Sequence, residues 1–290
     1  VTVTGASVAL MGPPGVGVSR IRRQRPRWGQ NFLIAEGVAR WIVEWAAIEG
    51  RSVLEIGPGR GALTGILLER AAFVRAVEID ASLVHELAER HGAAASRLQV
   101  VIGDVLKLPL AEILDPGMSV VANLPYESAA AIIRRLLTAN VVPTDIVVMV
   151  QREVCARIAA QPGDRQYGLL ALHTSLRADV VPGRVVAPGC FRPQPKVQSQ
   201  VVRLRPLQGL RYEVGDEALF SGLAAAAFGM RRKMLRNTVL PYISERLGPE
   251  SARSALVESG IEPTQRPETV SPEAFARLSS IVHRRLGGNA

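Results

Sequence analysis

Met118-Ser-Val-Val-Ala-Asn123-Leu124-Pro125-Tyr126 decides how this chain is read. The apolar run from Met118 to Ala122 stops at a carboxamide followed two residues later by a proline, so the pattern predicts a strand that ends in a fixed turn. Asn123 brings one acceptor in its side-chain oxygen. Because the proline blocks further strand pairing, a backbone carbonyl at Leu124 or Pro125 is free to be a second, and Tyr126 adds an aromatic face. Two acceptors aimed at one point suit the exocyclic amine of adenine, a poor nucleophile whose lone pair is delocalised into the ring. Accepting from both N–H groups favours a pyramidal nitrogen and localises the lone pair toward an electrophile, which is what methylation of that amine requires. On these four residues alone, a strand-to-helix turn with an Asn cap and a buried tyrosine fits as well.

Working outward, helical and strand-like patterns alternate from about residue 31. Helices are predicted over about 34–48, 61–71, 81–90 and 128–139. Strands are predicted at Ser52 to Ile56, Phe73 to Ile79, Leu98 to Ile102, Ser119 to Ala122 and Asp145 to Val150. Short continuous β-branched runs between helices imply a mainly parallel sheet covered on both faces, the α/β class, with ligands at the carboxyl ends of its strands. After Val150 come a helical stretch, a Pro/Gly break at 162 and 163, a helix at about 167–177, and strands near 179–186 and 197–205. Pro206 to Gly215 reads as a linker. Residues 216–286 read as wholly helical, with starts at Asp216, Pro249 and Ser271-Pro272. The expected organisation is a flexible basic arm over 1–27, an α/β domain over 28–207 and a small all-α domain over 208–290.

The chain has 290 residues, 48% of them hydrophobic, enough for a sizeable core and a second smaller one. Its 35 Lys+Arg against 26 Asp+Glu give a formal net charge of +9, which points to a polyanionic partner, nucleic acid first. Cys155 and Cys190 stand apart and the four histidines are scattered, so neither a zinc site nor a disulfide framework is expected, and a reducing cytoplasm fits. No apolar run reaches the roughly 18 residues that span a bilayer. Residues 1–27 lack acidic side chains and carry Arg20, Arg22, Arg23, Arg25 and Arg27, as a transit peptide does, but a basic arm touching RNA phosphates is the more economical reading. Gly12-Pro-Pro-Gly-Val-Gly17-Val18-Ser19 imitates a phosphate-binding loop, yet Val18 occupies the position that needs lysine, which excludes nucleotide hydrolysis.

Glu55-Ile-Gly57-Pro-Gly59-Arg-Gly61 closes the first long strand and opens a helix, a place where backbone N–H groups can approach a ligand closely. Glu78, at the end of the next strand, is placed to accept both ribose hydroxyls of an adenosine. A nicotinamide dinucleotide and S-adenosylmethionine would use these residues alike. Asp104 in Gly103-Asp104-Val105 can accept from a bound adenine amine, or else cap a turn. Two acceptors aimed at an amine serve no purpose in hydride transfer, so methyl transfer is favoured.

With the pieces in order, residues 25–286 resemble the ribosomal RNA adenine dimethyltransferases. The matches are Gly29-Gln-Asn-Phe-Leu33, Glu55-Ile-Gly-Pro-Gly-Arg-Gly61, Glu78-Ile-Asp80, Gly103-Asp104, Asn123-Leu-Pro-Tyr126, Gln151-Arg-Glu153 and Phe191-Arg-Pro-Gln-Pro-Lys-Val197. Two more, Arg231-Arg-Lys-Met-Leu-Arg-Asn237 and Arg266-Pro-Glu-Thr-Val-Ser-Pro272, resemble the small-subunit branch, which modifies 16S RNA, more than the resistance branch, which modifies 23S RNA. The resemblance implies a Rossmann-like methyltransferase domain that binds S-adenosylmethionine, and a helical domain that binds RNA. It implies that Gln30, Asn31 and Leu33 cover the methionine end of that cofactor, that Glu55, Gly57 and Gly59 line it, that Glu78 and Ile79 hold the ribose, and that Asp104 and Val105 hold the adenine. Asn123, Leu124 and Pro125 would hold the target amine, and Tyr126 and Phe191 would sandwich the flipped base. Arg231, Arg232, Lys233 and Arg236 would contact RNA.

The implied reaction is an in-line displacement repeated to give N6,N6-dimethyladenine, with no strong general base and no metal, carried out by a cytoplasmic monomer on 16S RNA of the immature small subunit. Three departures lie beside the site: Glu127-Ser128-Ala129 after the tyrosine, Gln198 where Asp is common, and Trp28 in place of a smaller apolar residue. The competing readings are a 23S RNA methyltransferase and a non-catalytic assembly or transcription scaffold on the same fold. A DNA adenine methyltransferase would carry Asp-Pro-Pro-Tyr at this strand end.

Overall fold

The computed structural model describes residues 30–94, 96–230 and 232–287. The expected arm at 1–27, with the phosphate-loop imitation, and Trp28, Gly29 and Arg231 lie outside the described residues. Two compact units are present, one of residues up to Cys155 together with Val180–Pro206, the other of Ala156–Asp179 and Leu207 onward.

In chain order the elements are β1 (Phe32–Leu33), α1 (Glu36–Ala46), β2 (Ser52–Ile56), α2 (Thr64–Arg70), β3 (Phe73–Glu78), α3 (Ala81–Arg90), β4 (Leu98–Ile102), α4 (Leu110–Ile113), β5 (Ser119–Asn123), α5 (Ala129–Leu137), β6 (Ile146–Gln151) and α6 (Arg152–Ala159). They continue with α7 (Leu169–Ser175), β7 (Ala178–Val186), β8 (Phe191–Arg192), β9 (Ser199–Pro206), α8 (Glu217–Gly229), α9 (Val239–Leu247), α10 (Pro249–Glu258) and α11 (Pro272–Arg285).

Among the described residues a seven-stranded sheet has the order β4-β3-β2-β5-β6-β9-β7. The five strands from β4 to β6 run parallel and β9 runs antiparallel to β6. Val53, Leu54, Val120, Val121, Val148 and Met149 are fully buried, as strands covered on both faces must be. The register places the tips together: Ile56 pairs with Val77, Glu78 with Ile102 and Asn123 with Met149. That shared carboxyl edge is where an open α/β sheet takes its ligand.

Helix α1 shows how the layers close. Its buried residues Ala39, Ile42, Val43 and Ala46 recur at three- and four-residue spacing and form one stripe toward the sheet. It stops at Ala47, which takes a left-handed conformation, two residues short of the predicted end. Helix α2 starts at Thr64 rather than 61, because Gly57, Gly59 and Gly61 take φ values of 67°, 56° and 79° that a right-handed helix cannot use. The ribbon of β1 and β8, two residues each, was not expected; it is too short to show a period. On the far side of the sheet, Arg203 of β9 donates through Nε to both carboxylate oxygens of the buried Asp145, at 2.8 and 3.1 Å, and through Nη1 to the Trp45 carbonyl. These bonds fix β9 against β6.

The second unit is helical around Leu172, Leu176, Phe220, Leu223, Phe275 and Leu278. Residues 156–179, grouped with the α/β domain from sequence, fall in this unit because α7 contributes Leu172 and Leu176 to its core. The predicted starts are visible as caps: Asp216 accepts from the Leu219 N–H at 2.6 Å, and Ser271 accepts from the Ala274 N–H at 3.1 Å with Pro272 in the first turn. Helix α9, which the sequence did not separate from its neighbours, begins after Thr238 without a side-chain cap.

Candidate functional site

A cavity of about 470 Å3 opens at the strand tips of the first unit. Its lining includes Gln30 and Asn31 just before β1, Leu33 of β1, Glu55 of β2 with Gly57 and Gly59 of the turn after it, Glu78 and Ile79, Asp104 and Val105, and Asn123 to Tyr126. The volume lies in the range of small-molecule sites. Fourteen of the fifteen residues assigned from sequence to the cofactor or the target base are therefore brought to one cavity. Phe191, expected to face Tyr126 across the base, is not among them. It pairs with Leu33 across the β1–β8 ribbon, is 2% exposed, and packs into the core of the first unit.

The two buried carboxyls differ. Glu78 is nearly inaccessible, and its oxygens accept from the backbone N–H groups of Gly59, Ile79 and Asp80 at 3.0, 2.9 and 3.0 Å. Burial raises its pKa and these three donors pull it down. The β3 tip and the glycine turn thus meet on one carboxylate. Glu55 has one hydrogen bond, from Thr64 Oγ1 at 2.7 Å, and burial pushes its carboxyl up to about 8, against that bond and with the help of the Glu78 charge. At neutral pH it is mostly protonated.

The glycine turn is tight. A Cβ on Gly59 would stand 3.0 Å from Phe32 Cδ1, and the Arg60 guanidinium lies 5.0 Å over the centre of the Phe32 ring. Phe32 and Arg60 both line the cavity, and neither was singled out from sequence although both stand inside the quoted motifs. The turn at Asp104 serves two ends. Its Oδ1 caps the Leu106 N–H at 2.9 Å, as the cap reading predicted, and the residue also lines the cavity. Arg135 of α5 holds the following stretch by donating to the carbonyls of Leu106 and Leu108.

At the β5 tip the Asn123 side chain donates through Nδ2 to the Asn31 carbonyl, at 3.4 Å, which turns Oδ1 away from that carbonyl. Leu124 is buried and its N–H goes to the Met149 carbonyl at 3.0 Å. Pro125 has no N–H, and its carbonyl accepts from the Ser128 N–H at 3.2 Å as α5 begins. Tyr126 is half-buried, with its hydroxyl 2.6 Å from Ser199 Oγ, and burial raises its pKa. Gln151 of β6 also lines the cavity.

Buried acceptors, a glycine cradle and an aromatic edge around one nucleoside-sized cavity fit a methyl donor beside an adenine. Residues 21–284 match the ribosomal RNA adenine dimethylase family. The chain belongs to that family. As a ribosomal RNA adenine dimethylase it is an S-adenosylmethionine-dependent enzyme whose substrate is ribosomal RNA. Similar proteins include the ribosomal RNA small subunit methyltransferases A of Clostridium acetobutylicum, 40% identical over 89% of this chain and 93% of that protein, and of Geobacter metallireducens, 39% identical over 92% and 98%. Among solved structures, a dimethyladenosine transferase from Plasmodium falciparum is 25% identical with a TM-score of 0.72, covering 85% of this chain and 95% of that one. The 23S rRNA methyltransferase ErmE, 24% identical over 89% of this chain and all of that one, shares the fold with a TM-score of 0.64.

In this dimethylase the cations expected to meet RNA lie in the second unit, where Arg232, Lys233 and Arg236 are exposed. Among the described residues no carboxylate forms an ion pair with any of the three. Among the described residues, no group of three or more His, Cys, Asp or Glu side chains could hold a metal ion, and no helix is long and apolar enough to cross a membrane.

Proposed function

We propose that this enzyme transfers methyl groups to N6 of adjacent adenines in a hairpin loop of 16S ribosomal RNA, in an immature small subunit. The observation that carries the reading is the β5 tip: the Asn123 carboxamide, oriented by Asn31, shares one cavity with the glycine turn, Glu78 and Asp104. The names of relatives at about 40% identity support the small subunit as the target.

The residues fit the cofactor. Glu78 already accepts three N–H groups, so it orders the turn and keeps about one lone-pair direction for a ribose hydroxyl. The Oδ2 edge of Asp104, 3.9 Å from Nζ of the exposed Lys107, suits the adenine amine, with Val105 and Ile79 as apolar walls. Gln30, Asn31 and Leu33 cover the methionine end, and neutral Glu55 lines it without adding negative charge. When bound, S-adenosylmethionine supplies an electrophilic methyl carbon on a sulfonium.

The chain then has to present a lone pair. Asn123 Oδ1 accepts one N–H of the target amine. The second acceptor is the Leu124 carbonyl, since the Pro125 carbonyl is engaged by Ser128. Accepting both N–H groups draws the lone pair out of the ring and would aim it at the electrophilic carbon the bound cofactor supplies. Tyr126 stacks on the base, worth about 1–3 kcal/mol, against the few kcal/mol needed to flip it out. Phe191 supports Leu33 from the core. Once the amine is methylated it is cationic and loses its proton to water, so no side chain need act as a strong base.

Arg231, Arg232, Lys233 and Arg236 contact phosphates in the RNA. The enzyme works as a monomer in the cytoplasm; the two unpaired cysteines support the reducing compartment. Labelled methyl transfer to unmodified small and large subunits, followed by mapping of the products, tests the assignment. Two adjacent dimethyladenines in 16S RNA are expected. Label in 23S RNA alone, or none in either, overturns it.

A further inference from the structure

We propose that Ser199 is a positioning residue for the reaction, holding the Tyr126 ring as a preset stacking face for the target adenine. The proposal rests on the assignment of Tyr126 to the base. Ser199 is the first residue of β9 and fully buried, and it pairs in register with Gln151, a cavity residue. Its hydroxyl lies 2.6 Å from the Tyr126 hydroxyl, across 73 residues of sequence.

The geometry explains what this contact does. Tyr126 follows Pro125 and precedes the first turn of α5, so its backbone end is fixed by that turn. A phenol ring held only at Cα can still swing about two side-chain torsions. Anchoring its far end to a buried hydroxyl removes that freedom before RNA arrives, so the ordering cost is not met at the moment the base enters. A serine hydroxyl buried without a partner would be costly, and the tyrosine supplies that partner.

The anchor is itself fixed. The Arg152 N–H donates to the Gln198 carbonyl at 2.9 Å, and Arg152 Nη1 donates to Gln198 Oε1 at 2.7 Å, tying the entry of β9 to the exit of β6. Gln198, a departure from the family pattern, thus keeps its neighbour in place. Arg203 and Asp145 fix the other end of the same strand pair.

The test is a double-mutant cycle on the full chain with S-adenosylmethionine and RNA that carries 2-aminopurine beside the target. Single-turnover rates, RNA and cofactor affinities, melting temperature and 2-aminopurine emission are read together. Ser199→Ala is expected to slow methyl transfer about tenfold and blunt the emission change, with cofactor affinity within twofold of the parent. Tyr126→Phe should do the same, and the double variant should be no slower than either single one. Ser199→Thr, which keeps the hydroxyl, should recover most of the rate.

A parent-like rate in Ser199→Ala overturns the proposal. So does a Ser199→Ala defect that persists in full in the Tyr126→Phe background, or one confined to melting temperature. Tyr126→Ala separates the underlying assignment: if it transfers methyl at the parent rate, the stacking role of Tyr126 fails. If it is inactive while Ser199→Ala is unimpaired, only the positioning role fails.

Discussion

The strand tips of the first unit and the basic face of the second solve opposite electrostatic problems. At the tips, Glu55 and Glu78 are carboxyls withdrawn from water, one mostly protonated and the other satisfied by three backbone N–H groups. On the second unit, Arg232, Lys233 and Arg236 stay exposed and charged. The first arrangement holds its groups by specific hydrogen bonds and concentrates its effect in single residues. The second spreads a weak, screened attraction over several side chains. Substitutions should therefore act steeply at the tips and shallowly on the face.

The largest effect is expected at Asn123. Asn123→Ala should lower the single-turnover rate about 10²–10³-fold, the scale for removing one preorganised polar contact from a reacting group, with the fold intact by circular dichroism. Glu78→Gln keeps the shape but offers one acceptor oxygen to the Gly59, Ile79 and Asp80 N–H groups. Its cofactor affinity should fall about 100-fold by calorimetric titration. Gly59→Ala forces a residue with a Cβ into φ near +56° against the Phe32 ring, so about tenfold weaker cofactor binding is expected.

The pH response of stability sharpens the contrast further. Glu55 carries its proton up to about pH 8 in the folded chain, whereas the unfolded chain releases it near its ordinary value of 4.5. Between those values the native state binds more protons, so this group's contribution to stability is full below 4.5 and declines as pH rises through 8, by at most about 1.4 kcal/mol per pH unit. Urea unfolding from pH 5 to 8.5 should show Glu55→Gln flattening that decline; an unchanged slope would count against the raised value.

The smallest single-residue effects belong to the basic face. Replacing Arg232, Lys233 and Arg236 by Gln together should reduce the slope of log affinity for RNA against log salt by about 2, at roughly 0.7 per lost phosphate contact on single strands. Cofactor affinity should stay within twofold. A slope equal to the parent's would remove this face from the RNA contact.

Much of the α/β unit was legible in the sequence because a buried parallel strand needs a continuous apolar run. The predicted bounds of β2 and β4 coincide with the observed ones for that reason. The glycine turn and the Asn123 tip were legible because glycine and proline restrict the backbone in known ways. What stayed hidden was set by contacts distant in sequence. Nothing in Phe191 as a residue type shows that pairing with Leu33 turns its ring into the core, and nothing near Ser199 shows that its hydroxyl meets Tyr126. The apolar residues of α7 looked the same whichever core they joined, so the segment 156–179 was grouped by proximity along the chain.

The central claim is that an acceptor oxygen at position 123 draws the lone pair of the target amine toward the methyl carbon. Comparing Asn123→Asp with Asn123→Ala at saturating RNA and S-adenosylmethionine tests it most directly, because aspartate keeps an acceptor oxygen and alanine does not. The account predicts that the aspartate variant, though slowed by facing the Asn31 carbonyl, transfers methyl at least about tenfold faster than the alanine variant. Equal rates in the two, or an alanine variant within threefold of the parent, would contradict it.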